Sequence, residues 1–151
     1  EKMGYFASYM VQQFERPDTA EQMIIGGFFD SIGLYIIPTD RQRALAIQWL
    51  DLLGLSNQKD TAFYKLTPVH QRMVLLARAM VKHPPLLILD EPGNGLDDAG
   101  ASMLTILINK IAAETASAIL YVSHRKEPGL LPDHIFELTP GENGSVGKQT
   151  K

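Results

Sequence analysis

The sequence has no cysteine. That removes disulfides, thiolate metal cages and a cysteine nucleophile, and it suits a reducing compartment such as the cytosol. Long apolar runs are missing too. The most continuous, such as Leu86 to Leu89, fall far short of the ~20 residues that cross a bilayer, so no membrane span is expected, and the N-terminus lacks a secretory-signal pattern. Positive charge is scarce and unclustered: 14 Lys and Arg stand against 17 Asp and Glu, a formal net charge of -3. With no basic run long enough to follow a phosphate backbone, nucleic acid is not an expected partner. No His-x-x-x-His pair or carboxylate cluster has the spacing of a Zn²⁺ site. What is present, 45% hydrophobic and 21% charged residues over 151 positions, excludes collagenous, low-complexity and charge-rich disordered chains. One globular domain is the starting expectation. Because the chain begins at Glu1 rather than Met, a processed or excised piece is also expected.

Met3 to Met10 has the apolar and aromatic content of a strand. Thr19 to Gln22 has capping-box spacing and introduces Met23, Ile24 and Ile25, so a short helix starts there. The segment Gly26 to Tyr35, rich in glycine and aromatics, reads as a buried loop or broken helix. After Pro38, Asp40 can cap a helix whose Ala46, Trp49, Leu50 and Leu53 recur at helical spacing, with Gly54 as its stop. Thr67 as N-cap and Pro68 at the first helical position start another, with Met73, Leu76, Ala77 and Met80 on one face and Pro84-Pro85 ending it. Then the period changes. Leu86 to Leu89 is the continuous apolar run of a strand covered on both faces, and it ends in Asp90-Glu91. A loop with Pro92, Gly93 and Gly95 leads through Asp97 and Asp98 into a helix with Leu104, Leu107, Ile108 and Ile111 on one face. Ala118 to Val122 is a second buried strand, ending at Ser123-His124. Strand, helix and strand between 86 and 122 have the spacing of one βαβ crossover, so the two strands should be parallel. A short strand is expected around Ile135 to Leu138, and a frayed polar tail from Pro140.

Adjacent acids at the carboxyl end of an apolar strand matter because ligands of open α/β sheets bind at that edge. Alone, Asp90-Glu91 also suits a strand-ending turn with solvated acids. Parallel pairing, however, would bring His124 to the same edge. One acid to hold Mg²⁺, a second to orient or deprotonate water and an imidazole to sense a terminal phosphate form a phosphoryl-transfer set. The other histidines suit plainer roles: His70 and His83 lie at the two ends of one helix, where caps and surface positions are common, and His134 precedes a short strand. Met73 and Met80 suit core filling, and Arg41 and Arg43 a solvated face.

The run from Pro84 to Asp98 (Pro-Pro-Leu-Leu-Ile-Leu-Asp-Glu-Pro-Gly-Asn-Gly-Leu-Asp-Asp) resembles the Walker B and D-loop segment of ATP-binding cassette (ABC) ATPases. Ala118 to His124 resembles that family's switch-histidine strand, and Leu66 to Arg72 occupies the position of its signature motif. Within the family, Gly26 to Tyr35 and the helix after it look most like the second cassette of molybdenum (molybdate) transport ATP-binding proteins. The resemblance implies an α/β, P-loop NTPase-like fold: a mostly parallel sheet with a helical subdomain, incomplete because the Walker A part is absent. It divides the chain into a Q-loop-like strand and loop (1–14), a helical signature subdomain (15–83), a part of the α/β core with Walker B, D-loop and switch histidine (84–140), and a polar tail (141–151). By resemblance, Asp90 would support Mg²⁺, Glu91 polarise the attacking water and His124 contact the γ-phosphate of ATP. Leu66, Thr67 and Gln71 would belong to the signature, and Asp97 to the D-loop at an interface between two cassettes. The implied partners are a second cassette, paired head to tail, and a membrane permease subunit. The implied place is the cytoplasm, at the inner face of the membrane. The implied work is ATP hydrolysis coupled to transport, of molybdate if the narrower likeness holds. A regulatory or structural cassette, or a non-transport ABC protein, is the alternative.

Departures from the family pattern are as informative. Where the signature usually reads Leu-Ser-Gly-Gly-Gln, Thr67, Pro68, Val69 and His70 follow Leu66, and only Leu66, Gln71 and Arg72 fit. Pro68 has no N–H and Val69 adds a Cβ where glycine permits close approach, so phosphate binding at this helix start should be weakened. Ser8 stands where the Q-loop glutamine is expected, with Gln12 or Gln13 as substitutes. No Gly-x-x-x-x-Gly-Lys-Ser/Thr occurs, and Gly144 to Lys148 is a decoy, since Glu142 and Gln149 occupy positions the motif reserves for other residues. The family's P-loop would lie upstream of Glu1, so the 151 residues alone should turn over little or no ATP. Loss of the P-loop strand should also leave an unpaired edge beside the switch-histidine strand, and with it marginal stability or self-association.

Overall fold

The computed structural model describes residues 3–13, 17–30 and 36–151. Strand β1 (Gly4–Ala7) runs into a 3-10 turn over Ser8–Gln13. Three helices follow: α1 (Ala20–Gly26), α2 (Asp40–Leu52) and α3 (Pro68–Met80). The chain then returns to the sheet as β2 (Leu86–Asp90), crosses through α4 (Asp98–Glu114) and comes back as β3 (Ala118–Val122). Parallel pairing orders the strands β1-β2-β3, with Ala7 opposite Asp90 and Asp90 opposite Val122. Both strand ends that carry the candidate site therefore fall on one edge.

Local chemistry explains most boundaries. Thr19 and Gln22 exchange both bonds of a capping box at the start of α1. Helix α2 does the same with Thr39 and Gln42, so the cap is Thr39 and not Asp40, which is the first helical residue. Gly54 follows α2 at φ +71, the left-handed turn that glycine adopts freely. Thr67 caps α3 with Pro68 at N1, as expected. Helix α3 stops at Met80, before Pro84 is reached, and His83 turns the chain at φ +50.

One core joins helices and sheet. The buried face of α3, including Met73, Leu76, Ala77 and Met80, shares one core cluster with Ile24 and Ile25 of α1, Leu50 of α2 and Leu104 and Ile108 of α4. The α1–α3 approach is tight: a Cβ on Gly27 would lie 2.2 Å from the Arg78 carbonyl, while Arg78 donates to the Met23 carbonyl at 2.8 Å. Leu87 and Leu89 of β2 are fully buried, but the alternate residues are only half-buried, and Leu120 and Val122 of β3 are 51% and 44% exposed. The strands are thus not covered on both faces as their apolar runs suggest. An apolar run records what a strand tolerates, whereas cover comes from other segments, and among the described residues β3 pairs only with β2.

The expected frayed tail is also corrected. Phe136–Gly141 (β4) and Gly144–Gln149 (β5) form an antiparallel hairpin that turns over Glu142 and Asn143. Gly144 at φ +119 supplies the turn, and Gly147 leaves room for the Leu138 side chain. Of the segment Gly26 to Tyr35, α1 ends at Gly26 and a turn follows through Asp30; residues 31–35 lie outside the described residues. Among the described residues no helix is long and apolar enough to cross a membrane.

Candidate active site

Asp90 closes β2 and Glu91 leaves it with φ +47, a conformation that costs a non-glycine residue about 1–3 kcal/mol. Two contacts hold it there. Its N–H donates to the Val122 carbonyl at 2.9 Å, which ties it to β3, and its carboxylate turns toward the residues that follow β3. Glu91 Oε1 accepts from the His124 backbone N–H at 2.8 Å and lies 2.6 Å from His124 Nδ1. A carboxylate only accepts, so Nδ1 carries a proton and the Nε2 edge of the ring points away from Glu91. The imidazole is 78% exposed against 23% for the Glu91 side chain, which leaves Nε2 open to a ligand. Burial alone would raise the Glu91 pKa. The His124 backbone N–H, ring and charge outweigh it and hold the carboxyl below its usual range. Glu91 is therefore held in its ionised form.

Asp90 is less committed. Among the described residues its Oδ2 receives only a long contact from the Tyr5 hydroxyl, 3.4 Å away. The Tyr5 pKa is pushed up to about 12, first by hydrogen bonding to Tyr9, then by burial and by the charges of Tyr9 and Asp90. Among the described residues no group of three or more His, Cys, Asp or Glu is gathered for a metal ion. The Asp90 carboxylate is itself a donor of the kind Mg²⁺ uses, since Mg²⁺ is commonly held by one or two carboxylates together with substrate phosphates and water.

The expected signature residues stand on a different element. Leu66 is buried, and the Thr67 hydroxyl is occupied as the cap of α3, accepting from the His70 N–H at 3.4 Å. Gln71 Nε2 donates to the Phe63 carbonyl at 3.0 Å, and His70 Nδ1 is buried with no partner among the described residues. Asp97 caps α4 through the Gly100 N–H at 2.8 Å. The starts of α3 and α4 are neighbours, since a Cβ on Gly100 would lie 3.4 Å from Val69 Cβ. Asp90, Glu91 and His124 therefore form one group, and Leu66, Thr67, Gln71 and Asp97 another. Ser8 lies in the 3-10 turn after β1, Gln12 is exposed, and the Gln13 side chain lies outside the described residues.

Arg72, which fits the signature pattern in the sequence, joins the two groups through contacts that the pattern alone does not predict. Its side chain is buried and donates from Nη1 to the Pro92 carbonyl at 2.6 Å and from Nη2 to the Asn94 carbonyl at 2.7 Å. Burial lowers its pKa.

A parallel α/β sheet with an acid pair and a histidine on one edge, and a capped helix beside the loop between them, defines a P-loop NTPase-like protein. The sequence model of the ABC transporter family matches residues 1–94. The chain belongs to that family, the ATP-binding cassettes of ABC transporters. It is 40% identical over 141 residues to ModF, an ABC transporter ATP-binding protein of Escherichia coli (strain K12), covering 91% of this chain and 29% of ModF. It is 37% identical over 144 residues to YlmA, an uncharacterized ABC transporter ATP-binding protein of Bacillus subtilis (strain 168), covering 93% of this chain and 54% of YlmA. Among solved structures, the dimeric ATP-binding cassette MJ0796 bound to ADP and Pi superposes with a TM-score of 0.60 at 25% identity, covering 83% of this chain and 53% of that one. The chain thus spans about a third to a half of the relatives' length.

Proposed function

We propose that this chain carries the catalytic half of an ABC ATPase site, within a protein that couples ATP hydrolysis to transport. The observation that carries the reading is the contact between Glu91 and His124, made by the ends of two adjacent parallel strands. Asp90 would hold Mg²⁺, which would offset phosphate charge. Glu91 orients the attacking water and accepts its proton, and it is kept ionised for that task. His124 donates from an Nε2–H to the terminal phosphate while its Nδ1–H is fixed by Glu91. The α3 start and Asp97 face a second cassette, a pairing supported by the dimeric state of the MJ0796 cassette. A membrane permease at the cytoplasmic face completes the assembly. The likeness of Gly26 to Tyr35 makes molybdate the first cargo to try. The test is phosphate release by the full-length protein that carries this chain: turnover is expected with Mg²⁺ and ATP and is expected to vanish on chelation of the metal. Turnover insensitive to chelation would count against the reading.

One feature favours a second reading, a regulatory cassette with a weakened signature. Pro68 lacks the N–H that would meet a phosphate, and Val69 packs against α4. Restoring glycine at both positions in the full-length protein should raise turnover several-fold if that defect is limiting. No gain would remove this reading.

A further inference from the structure

The proton on the Ser123 hydroxyl has two carboxylates to choose between. Ser123 Oγ lies 3.1 Å from Glu127 Oε1 and 3.4 Å from Glu91 Oε2. The oxygen is held in place, because it accepts the Arg125 backbone N–H at 3.2 Å. A hydroxyl has one proton to give, and an O–H···O bond weakens as it lengthens, so of these two long contacts the one to Glu127, shorter by 0.3 Å, is the stronger. The proton therefore favours Glu127. That carboxylate is well placed to keep it: the Glu127 side chain is only 6% exposed, and Arg125 Nε donates to the same Oε1 at 3.1 Å. A buried carboxylate needs such partners. On the other side, both His124 donors fall on Oε1 of Glu91. Oε2 is thus the oxygen of Glu91 left without a strong donor.

We propose that Glu127 is a positioning residue: it draws the Ser123 hydroxyl proton away from Glu91 and so keeps Oε2 of Glu91 free to accept the proton of the attacking water. The inference rests on Glu91 being the base, as proposed above. Its logic is a competition. Without Glu127, Ser123 turns its proton onto Oε2, and a carboxylate stabilised by a further hydrogen bond is a weaker base. No bond is made or broken by Glu127 itself. In the water's attack on the terminal phosphate, the proton moves from water to Oε2 while the bond to the leaving diphosphate oxygen breaks.

The experiment uses the full-length protein carrying this chain, with variants Glu127→Ala, Ser123→Ala, the double variant and Glu91→Gln, read by steady-state ATP turnover and by crystallography. Glu127→Ala is expected to lower kcat about tenfold with KM little changed. In its crystal structure the distance from Ser123 Oγ to Glu91 Oε2 contracts from 3.4 Å to about 2.7 Å. Adding Ser123→Ala removes the competing proton, so the double variant recovers to within about threefold of Ser123→Ala alone. Simple structural damage would not be repaired by a second truncation. Should Glu127→Ala not fold, Glu127→Gln, whose amide oxygen still accepts from Ser123, is expected to stay near the parent rate. A double variant as slow as Glu127→Ala, a slow Glu127→Gln, or an unchanged Ser123–Glu91 distance overturns the proposal. If Glu91→Gln leaves turnover intact, the reading of Glu91 as base fails, while the crystallographic distance still decides where the hydroxyl proton goes.

Discussion

Replacing Glu91 with glutamine in the full-length protein lowers Mg-ATP turnover by about 10²–10⁴-fold, the share a positioned general base contributes. The substitution is close to a pure removal of charge. Glutamine has the same shape, and its amide oxygen can still accept the His124 N–H that now binds Glu91 Oε1 at 2.8 Å. The bond from the backbone N–H of residue 91 to the Val122 carbonyl is untouched, so the link between β2 and β3 survives. What is lost is the ionised group that the His124 donors stabilise against burial. A retained fold with lost turnover is therefore expected, checked by phosphate release alongside a melting curve.

Replacing Arg72 with methionine destabilises the protein by roughly 1–3 kcal/mol, the penalty for leaving a buried acceptor unsatisfied. Methionine matches much of the aliphatic stem and leaves no large cavity, so the effect isolates the lost donors. Buried ion pairs can often be exchanged for apolar groups because both partners go together. Here the partners are backbone carbonyls, of Pro92 and Asn94, and they stay. The buried Pro92 carbonyl suffers most. Turnover should fall as well, although Arg72 touches no reactant, since the loop that follows Glu91 loses its tether to α3. The measurement is the shift in denaturant midpoint at constant slope; a midpoint unchanged within about 0.5 kcal/mol would contradict the assigned role.

Local signals were legible and nonlocal ones were not. The caps at Thr19 and Thr67 depend on three or four neighbouring residues, and both form as the spacing predicts. The same Thr-x-x-Gln spacing at Thr39 and Gln42 was present but eclipsed by Asp40 next door. The parallel pairing of β2 and β3 followed from the length of the crossover. Burial did not follow, because nothing in the Ala118 to Val122 segment records which other segments cover it. The hairpin of β4 and β5 was hidden by its glycines, which read as disorder although Gly144 makes the turn and Gly147 accommodates Leu138.

The candidate site divides in the same way. Asp90, Glu91 and His124 were placed on one edge by strand order alone. The left-handed backbone at Glu91 was not, since the residue before a proline ordinarily favours extended conformations. The partnership of Arg72 with residues 92 and 94, and that of Glu127 with Ser123, depend on how the chain closes in three dimensions.

ATP affinity and phosphate release, measured side by side on the full-length protein and its Glu91→Gln variant, test the central claim that the Glu91–His124 pair is a hydrolytic site. The account predicts affinity unchanged within about threefold and release nearly abolished, because only the base is removed. Phosphate release at the parental rate, or release lost only in proportion to ATP affinity, would contradict it.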